Sequence, residues 1–285
     1  MGEHVRIFEV SPRDGLQNES DFIETKDKIR LVNLISAAGF TSVEVTSFVN
    51  SLWVPQLADA AQVMQGIDRR EGISYSALTP NAKGFENALK ANVSEVAVFV
   101  AASETFSRKN TNCSIEESFE RVHAVMRRAG QEQISVRGYV SCVLDCPYEG
   151  RIAPQAVEQV TQKLLDAGCY EVSLGDTIGH GTQQSTAELL DVLLEKIPAA
   201  SLAGHFHDTQ GHAIENIKVS LERGLRTFDS AMAGLGGCPY APGALGNVDT
   251  IDLVKTLSTL GYETGIDPEI LDAAAAYARQ LKNGV

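Results

Sequence analysis

A short β-branched stretch followed by an amphipathic one recurs eight times along the 285 residues. "VRIFEV" (5–10) precedes a helical pattern over 25–38, "TSVEVTSF" (41–48) one over 56–66, and "GISYSALT" (72–79) one over 82–91. "VSEVAVFV" (93–100) leads to 115–129, "ISVRGYVSCV" (134–143) to 154–167, and "CYEVSLGD" (169–176) to 184–197. "SLAGHFHD" (201–208) and "RTFDSAMA" (226–233) complete the series with helices over 212–223 and 248–260. Each unit is long enough for a crossover between parallel strands, and no Pro/Ser-rich linker or charge run interrupts them. Eight units over this length favour an α/β fold of the closed (β/α)8 TIM-barrel type over a doubly wound sheet. Glycines at 39, 130, 168 and 224 stand where left-handed helix caps are expected. A further helix over 267–282, opening on Asp-Pro, predicts a C-terminal helical extension at about 262–285. The expected organisation is one catalytic domain over 1–285.

Charge narrows the partners. The chain carries 24 basic and 37 acidic residues, a formal net charge of -13, and shows no basic stripe. A nucleic-acid partner is therefore not expected, although a few local arginines can still focus an anionic substrate. Five cysteines without framework spacing, and no recognisable leader, read as reduced thiols in the cytoplasm. The apolar runs are too short to span a bilayer, so no membrane partner is expected.

In a barrel of this kind, chemistry collects where strands run into the loops that follow them. The polar oddities of this sequence fall at those points. His205 and His207 in "HFHD" lie two apart on a strand and face the same way, as a pair of metal ligands would. Arg13 and Asp14 end the first strand; a carboxylate there can bind a cation and a guanidinium can hold a developing oxyanion, but an ordinary turn would use the same residues. Glu44 is a charge inside a β-branched strand, with Arg13 as its natural partner and Glu9 as a candidate for the same network. Asp176 follows the sixth strand between glycines, and either contacts substrate, supports the metal site or caps the next segment. Asn247 can be an amide ligand or a helix cap. Cys238, in the glycine-rich loop "AGLGGCPYAPGALGN" (233–247), can act as an acid or base beside a cation, or be an unremarkable surface thiol.

"RDGLQ" (13–17) together with "HFHD" resembles the signature of the DRE-TIM metallolyases. More narrowly, "SPRDGLQNE", "VEVTSFV", "SIEESFERV", "VRGYVSC", "CPYEG", "SLGDTIG" and "GLGGCPYAPGALGN" are similar to the 3-hydroxy-3-methylglutaryl-CoA lyase family over residues 5–262. The resemblance implies a divalent cation, Mg²⁺ or Mn²⁺, held by Asp14, His205, His207 and Asn247. It implies that Arg13 stabilises the enolate of departing acetyl-CoA, that Glu44 positions Arg13, and that Cys238 is the acid/base on a closing loop. Asp176 and Glu9 support them, with His205 counted among the catalytic groups. Asn110 falls where the family contacts CoA, and Arg108 and Lys109 beside it are candidates for its phosphates. The implied partner is an acyl-CoA substrate and the implied assembly a homodimer. Ser11, "VNSLWVPQ", "HFHDTQGHA" and Ile251 depart from the family's usual wording. They leave the C3 substituent open, so a citramalyl-CoA or an isoprenoid-extended glutaryl-CoA stands as an alternative substrate. An acetyl-CoA-condensing synthase and a silent acyl-CoA-binding barrel are the remaining alternatives.

Overall fold

The computed structural model describes residues 2–237 and 246–282. Its strands are β1 (Arg6–Glu9), β2 (Ser42–Ser47), β3 (Ser74–Leu78), β4 (Glu95–Ala101), β5 (Ser135–Ser141), β6 (Asp145–Cys146), β7 (Gly150–Arg151), β8 (Val172–Asp176), β9 (Leu202–Phe206) and β10 (Thr227–Ser230). Eight of them close a parallel barrel in the order β1-β10-β9-β8-β5-β4-β3-β2, while β6 and β7 form a small antiparallel hairpin outside it. The eight barrel strands are those expected from the sequence pattern, and the fold is a (β/α)8 barrel. Helices α1 (Thr25–Ala37), α2 (Ala60–Gly66), α3 (Ala82–Lys90), α4 (Glu104–Thr111) and α5 (Ile115–Glu132) surround its first half. Helices α6 (Pro154–Asp166), α7 (Gln183–Leu193), α8 (Ala213–Glu222) and α9 (Thr250–Thr259) follow, and α10 (Pro268–Lys282) is the extra C-terminal helix.

Local chemistry explains the boundaries. In α5 the buried residues Ser118, Phe119, Val122, Val125 and Ala129 recur at helical spacing, and Ser114 and Glu117 form a capping box at its start. The expected stop at Gly130 is corrected: α5 runs through it to Glu132, and Gln133 takes the left-handed cap at φ 56°. Gly39, Gly168 and Gly224 do adopt the left-handed conformation. The α4 helix and the β6–β7 hairpin carry no expectation from the sequence: α4 buries only Phe106 and Ser107, too few for a helical period, and each hairpin strand is two residues long. Helix α10 buries Leu271, Ala274, Ala275, Ala278 and Leu281 and packs chiefly on α1, where Tyr277 Oη donates to Asp27 at 2.7 Å.

The barrel interior departs from the branched apolar filling usual for this architecture. Outward positions such as Val43, Val45, Val136 and Val140 face the helices, whereas Glu44, Arg137, Ser173, His205 and Asp229 converge within the barrel. Arg137 reaches from β5 to Asp229 on β10, two strands that are not neighbours in the sheet, so this ion pair crosses the interior. A charged interior of this kind is stable only when its groups satisfy one another.

Candidate active site

The chain leaves β1 through a single wide helical turn, Ser11–Gly15, in which Gly15 N donates to Val10 O at 3.1 Å. The turn aims Arg13 and Asp14 into the mouth of the barrel. At the end of β9, His205 and His207 bring their rings to 5.3 Å between centroids, tilted by 41°. The His205 and His207 Nε2 atoms stand 3.9 and 3.8 Å from Asp14 Oδ2. One donor atom from each of Asp14, His205 and His207 lies within 4.8 Å of the others, the spacing of a shared divalent cation.

Asn247 joins them by a different route. It forms an isolated antiparallel bridge with His207, extended by Asp208 N to Gly246 O at 2.7 Å and Val248 N to Phe206 O at 3.0 Å. Its Nδ2 donates to Asp14 Oδ2 at 2.8 Å and to Leu235 O at 3.1 Å. Two acceptors fix which end of the amide is nitrogen, so Oδ1 is the other end. That Oδ1 is buried without a hydrogen-bond partner among the described residues. A buried orphan acceptor beside a carboxylate and two imidazoles is what a bound cation would satisfy. The residues present therefore fit a divalent metal.

Arg13 sits against the same carboxylate, its Nη1 at 2.5 Å from Asp14 Oδ1 and its Nε at 2.5 Å from Glu44 Oε2. Its guanidinium also lies 5.5 Å from the centre of the Tyr139 ring, and Tyr139 Oη donates to Glu44 Oε2 at 3.3 Å. Burial works against the charge on Arg13, but Glu44 and Asp14 outweigh it and push its pKa up. Burial also opposes charge on Asp14, where Arg13 and the two histidines hold the carboxyl well below the usual range. For Glu44 burial is the stronger effect and raises its pKa despite Arg13. For His205 burial alone would lower the pKa, and Asp229 and Asp14 reverse this to a net rise. The site thus places a fixed, permanently charged guanidinium next to a preformed cation site.

The HMGL-like family matches residues 4–277. The chain belongs to this family. HMGL-like relatives include the 3-hydroxy-3-isohexenylglutaryl-CoA/hydroxy-methylglutaryl-CoA lyase of Pseudomonas aeruginosa, 55% identical over 271 residues, or 95% of this chain and 90% of that protein. The solved HMG-CoA lyase of Brucella melitensis is 54% identical and superposes with a TM-score of 0.98, covering 99% of this chain and 100% of that one. A further HMG-CoA lyase, from Acinetobacter baumannii, was solved with coenzyme A and 3-methylmalate. It is 35% identical with a TM-score of 0.93 over 98% of this chain and 92% of that one. This HMGL-like chain is accordingly a carbon–carbon lyase.

A cavity of about 930 Å³ opens above the site. Its floor includes Arg13, Asp14, Tyr139, His205 and His207. Asn50, Trp53, Val54 and Pro55 from the segment after β2, and Asn110, Asn112 and Arg121 from the segment after β4, also line the cavity. Of the residues expected at CoA, Asn110 lines the cavity whereas Arg108 and Lys109 do not. Arg108 instead pairs with Glu104 at 2.8 Å on an exposed helix face, and Lys109 stands 4.7 Å from the centre of the Tyr148 ring. Arg121 was missed by the sequence reading. It lines the cavity, donates to Thr111 O at 3.2 Å, and makes no ion pair among the described residues.

Two further expected residues, Glu9 and Asp176, do not line the cavity. Glu9 is fully buried and receives Ser11 N, Thr250 Oγ1 at 2.7 Å and Met232 N at 3.3 Å. It ties the Arg13–Asp14 turn to the segment that leads into the glycine loop. Asp176 Oδ2 accepts from Gly181 N at 2.8 Å, which shapes the turn after β8. Its Oδ1 has no hydrogen-bond partner among the described residues. Cys238 lies outside the described residues. The described ends of its loop abut the site: Asn18 Nδ2 donates to Gly237 O at 3.3 Å, and a Cβ on Gly236 would stand 3.3 Å from Asp14 O.

Proposed function

We propose that this chain cleaves 3-hydroxy-3-methylglutaryl-CoA to acetyl-CoA and acetoacetate by a retro-Claisen reaction. The observation that carries the reading is the orphan Asn247 Oδ1 beside Asp14, His205 and His207, with Arg13 hydrogen-bonded to the same Asp14. Asp14, His205, His207 and Asn247 would hold Mg²⁺ or Mn²⁺, and their mixed nitrogen and oxygen donors suit Mn²⁺ well. A divalent cation bound there supplies Lewis acidity that favours loss of the C3 hydroxyl proton.

As that proton leaves, the C2–C3 bond breaks and the C3 oxygen becomes the ketone of acetoacetate. The bonding pair moves to the thioester as the enolate of acetyl-CoA, whose carbon then takes a proton. Arg13 offsets the enolate charge from a fixed position, held by Glu44 and Tyr139, with no reorganisation at the moment of reaction. Cys238 is the proposed acid/base, on a loop whose described ends pass each other at Gly236 and Gly246, with Gly236 against the Asp14–Gly15 turn. Asn110 and the guanidinium of Arg121, which makes no ion pair among the described residues, supply polar and cationic contacts for the CoA portion. Asp176 and Glu9 hold the turns that carry the site.

A second substrate is favoured by one feature, the apolar side chains of Trp53, Val54 and Pro55 in the lining of the same cavity. An apolar wall there would accept a longer C3 substituent, as in the isohexenylglutaryl thioester named for the Pseudomonas aeruginosa relative. In this reading the chain is one catalytic domain, working as a homodimer in the cytoplasm; no helix among the described residues is long and apolar enough to cross a membrane.

The test is acetyl-CoA release from a panel of 3-hydroxyacyl-CoA thioesters with Mg²⁺ or Mn²⁺ and a reducing agent. Turnover of the methylglutaryl thioester, lost with EDTA and restored by metal, is the expected result. Release only from another panel member would overturn the substrate, and turnover indifferent to EDTA would overturn the metal.

A further inference from the structure

We propose that Asp229 is a positioning residue for His205: clamped by Arg137, it fixes the imidazole tautomer that leaves Nε2 free to bind the cation. The inference rests on the metal reading above and adds a residue that the site itself does not contain. Asp229 is paired in register with His205 across the parallel β10–β9 ladder, so the two side chains stand level inside the barrel. It is 1% exposed, and both its oxygens are engaged. Arg137 grips it through two bonds, Nη2 to Oδ1 at 2.7 Å and Nη1 to Oδ2 at 3.2 Å. Ser173 Oγ donates to Oδ2 at 2.7 Å, and His205 Nδ1 stands 3.1 Å from the same oxygen.

A carboxylate in a two-point guanidinium clamp is ionised and can only accept hydrogen bonds. The proton of a neutral His205 must then sit on Nδ1, and the Nε2 lone pair must face Asp14 and His207. A carboxylate behind a ligating histidine orients its ring and raises its basicity, and losing such a partner costs roughly 10–100-fold in metal affinity.

Arg137 extends the same frame to the opposite side of the site. Its Nη1 donates to Tyr139 Oη at 2.9 Å, Tyr139 to Glu44 at 3.3 Å, and Glu44 receives Arg13, which holds Asp14. A continuous line of side-chain hydrogen bonds therefore joins His205 to Asp14, the two ligands that must converge on one ion. The Nε of Arg137 is anchored separately on Glu171 at 2.8 Å, so the guanidinium cannot rotate without breaking a second ion pair.

Three measurements test this. In metal-free wild-type protein labelled with ¹⁵N-histidine, NMR at a pH where His205 is neutral should show the proton on Nδ1. A proton on Nε2 would overturn the proposal. Second, Asp229→Asn should weaken Mn²⁺ binding roughly 10–100-fold by calorimetry, and KM for the thioester at saturating Mn²⁺ should change much less. A folded Asp229→Asn protein with wild-type Mn²⁺ affinity would overturn it as well. Third, because Asp229→Asn removes a partner of a buried arginine, Ser173→Ala serves as the gentler variant. It should weaken Mn²⁺ binding by a smaller factor with the fold unchanged by circular dichroism, and an unaltered affinity counts against the proposal. Failure of the wild-type protein to bind Mn²⁺ would instead sink the metal reading, and the tautomer measurement would still decide the role of Asp229.

Discussion

Arg13 shows how much work one side chain can be given by its neighbours. Its Nε is committed to Glu44, Nη1 to Asp14, and its plane lies near the Tyr139 ring. A lysine could keep the charge but not the forked geometry. Arg13→Lys should therefore lower kcat by about 10²-fold or more, the scale of losing one oriented donor to a developing oxyanion, with KM changing far less. Steady-state kinetics at saturating metal check this, and a rise in KM with kcat unchanged would show that Arg13 only binds substrate. Glu9 carries a different consequence. Burial pushes its carboxyl up to about 7, with Ser11, Thr250 and Met232 pulling in the opposite direction. In the unfolded chain the same group titrates near about 4.3. Between those pH values the folded protein retains a proton that the unfolded chain has released, so the free energy of unfolding falls as pH rises. The Glu9 contribution is fully present below about 4.3 and is lost as pH climbs through 7, with a slope of at most about 1.4 kcal/mol per pH unit. Glu9→Gln removes that titration. Urea unfolding should show the wild-type advantage over the variant shrinking from pH 4.5 to 7 and then levelling; a constant difference would contradict it.

At the scale of elements, the glycine loop after β10 is constrained by contact as well as by conformational freedom. A Cβ on Gly246 would lie 2.3 Å from the carbonyl carbon of Gly236 and 2.7 Å from Gly237 N, both backbone atoms. Gly236, at φ 99°, would press a Cβ to 2.4 Å from Asn247 Nδ2. The two ends of the loop pass so closely that only glycine fits, and this close passage sets Asn247 against His207. Gly246→Ala must displace backbone at that crossing. We expect it to weaken Mn²⁺ binding and lower kcat together, by about tenfold or more, as loss of one ligand position would. Calorimetry beside kinetics checks it, and intact metal affinity with lost turnover would mean that only the catalytic loop had moved. The corrected end of α5 belongs to this scale too: the sequence marks Gly130 as a stop, yet the helix runs one turn past Ala129, the last residue of its packed face, to the left-handed cap that Gln133 supplies.

Over the whole molecule, stability and chemistry sit in different places. Leu271, in the first turn of α10, is 2% exposed and helps to dock the start of that helix, where Asp267 N donates to Ala38 O at 2.8 Å. Leu271→Ala should cost about 2–5 kcal/mol by urea unfolding, with kcat unchanged at a temperature where the variant is folded. A loss of kcat in the folded variant would show that α10 reaches the site. The sequence by itself determined the eight strand–helix units, because hydrophobic periodicity is local, and it placed His205 beside His207, because strand geometry has a period of two. It also marked Glu44 as an anomaly that needed Arg13. The same mark, a charge inside an apolar strand, stands on Arg137, Glu171 and Asp229, but pattern alone does not say which charges meet across a barrel. Only the tertiary structure decided that Asn247 lies beside Asp14, 233 positions away in the chain. Only it placed Asp229 behind His205 and Arg121, rather than Arg108 or Lys109, on the cavity wall. The reason is physical: barrel closure fixes the register of all eight strands at once, and contacts across the interior exist only after every strand has taken its place.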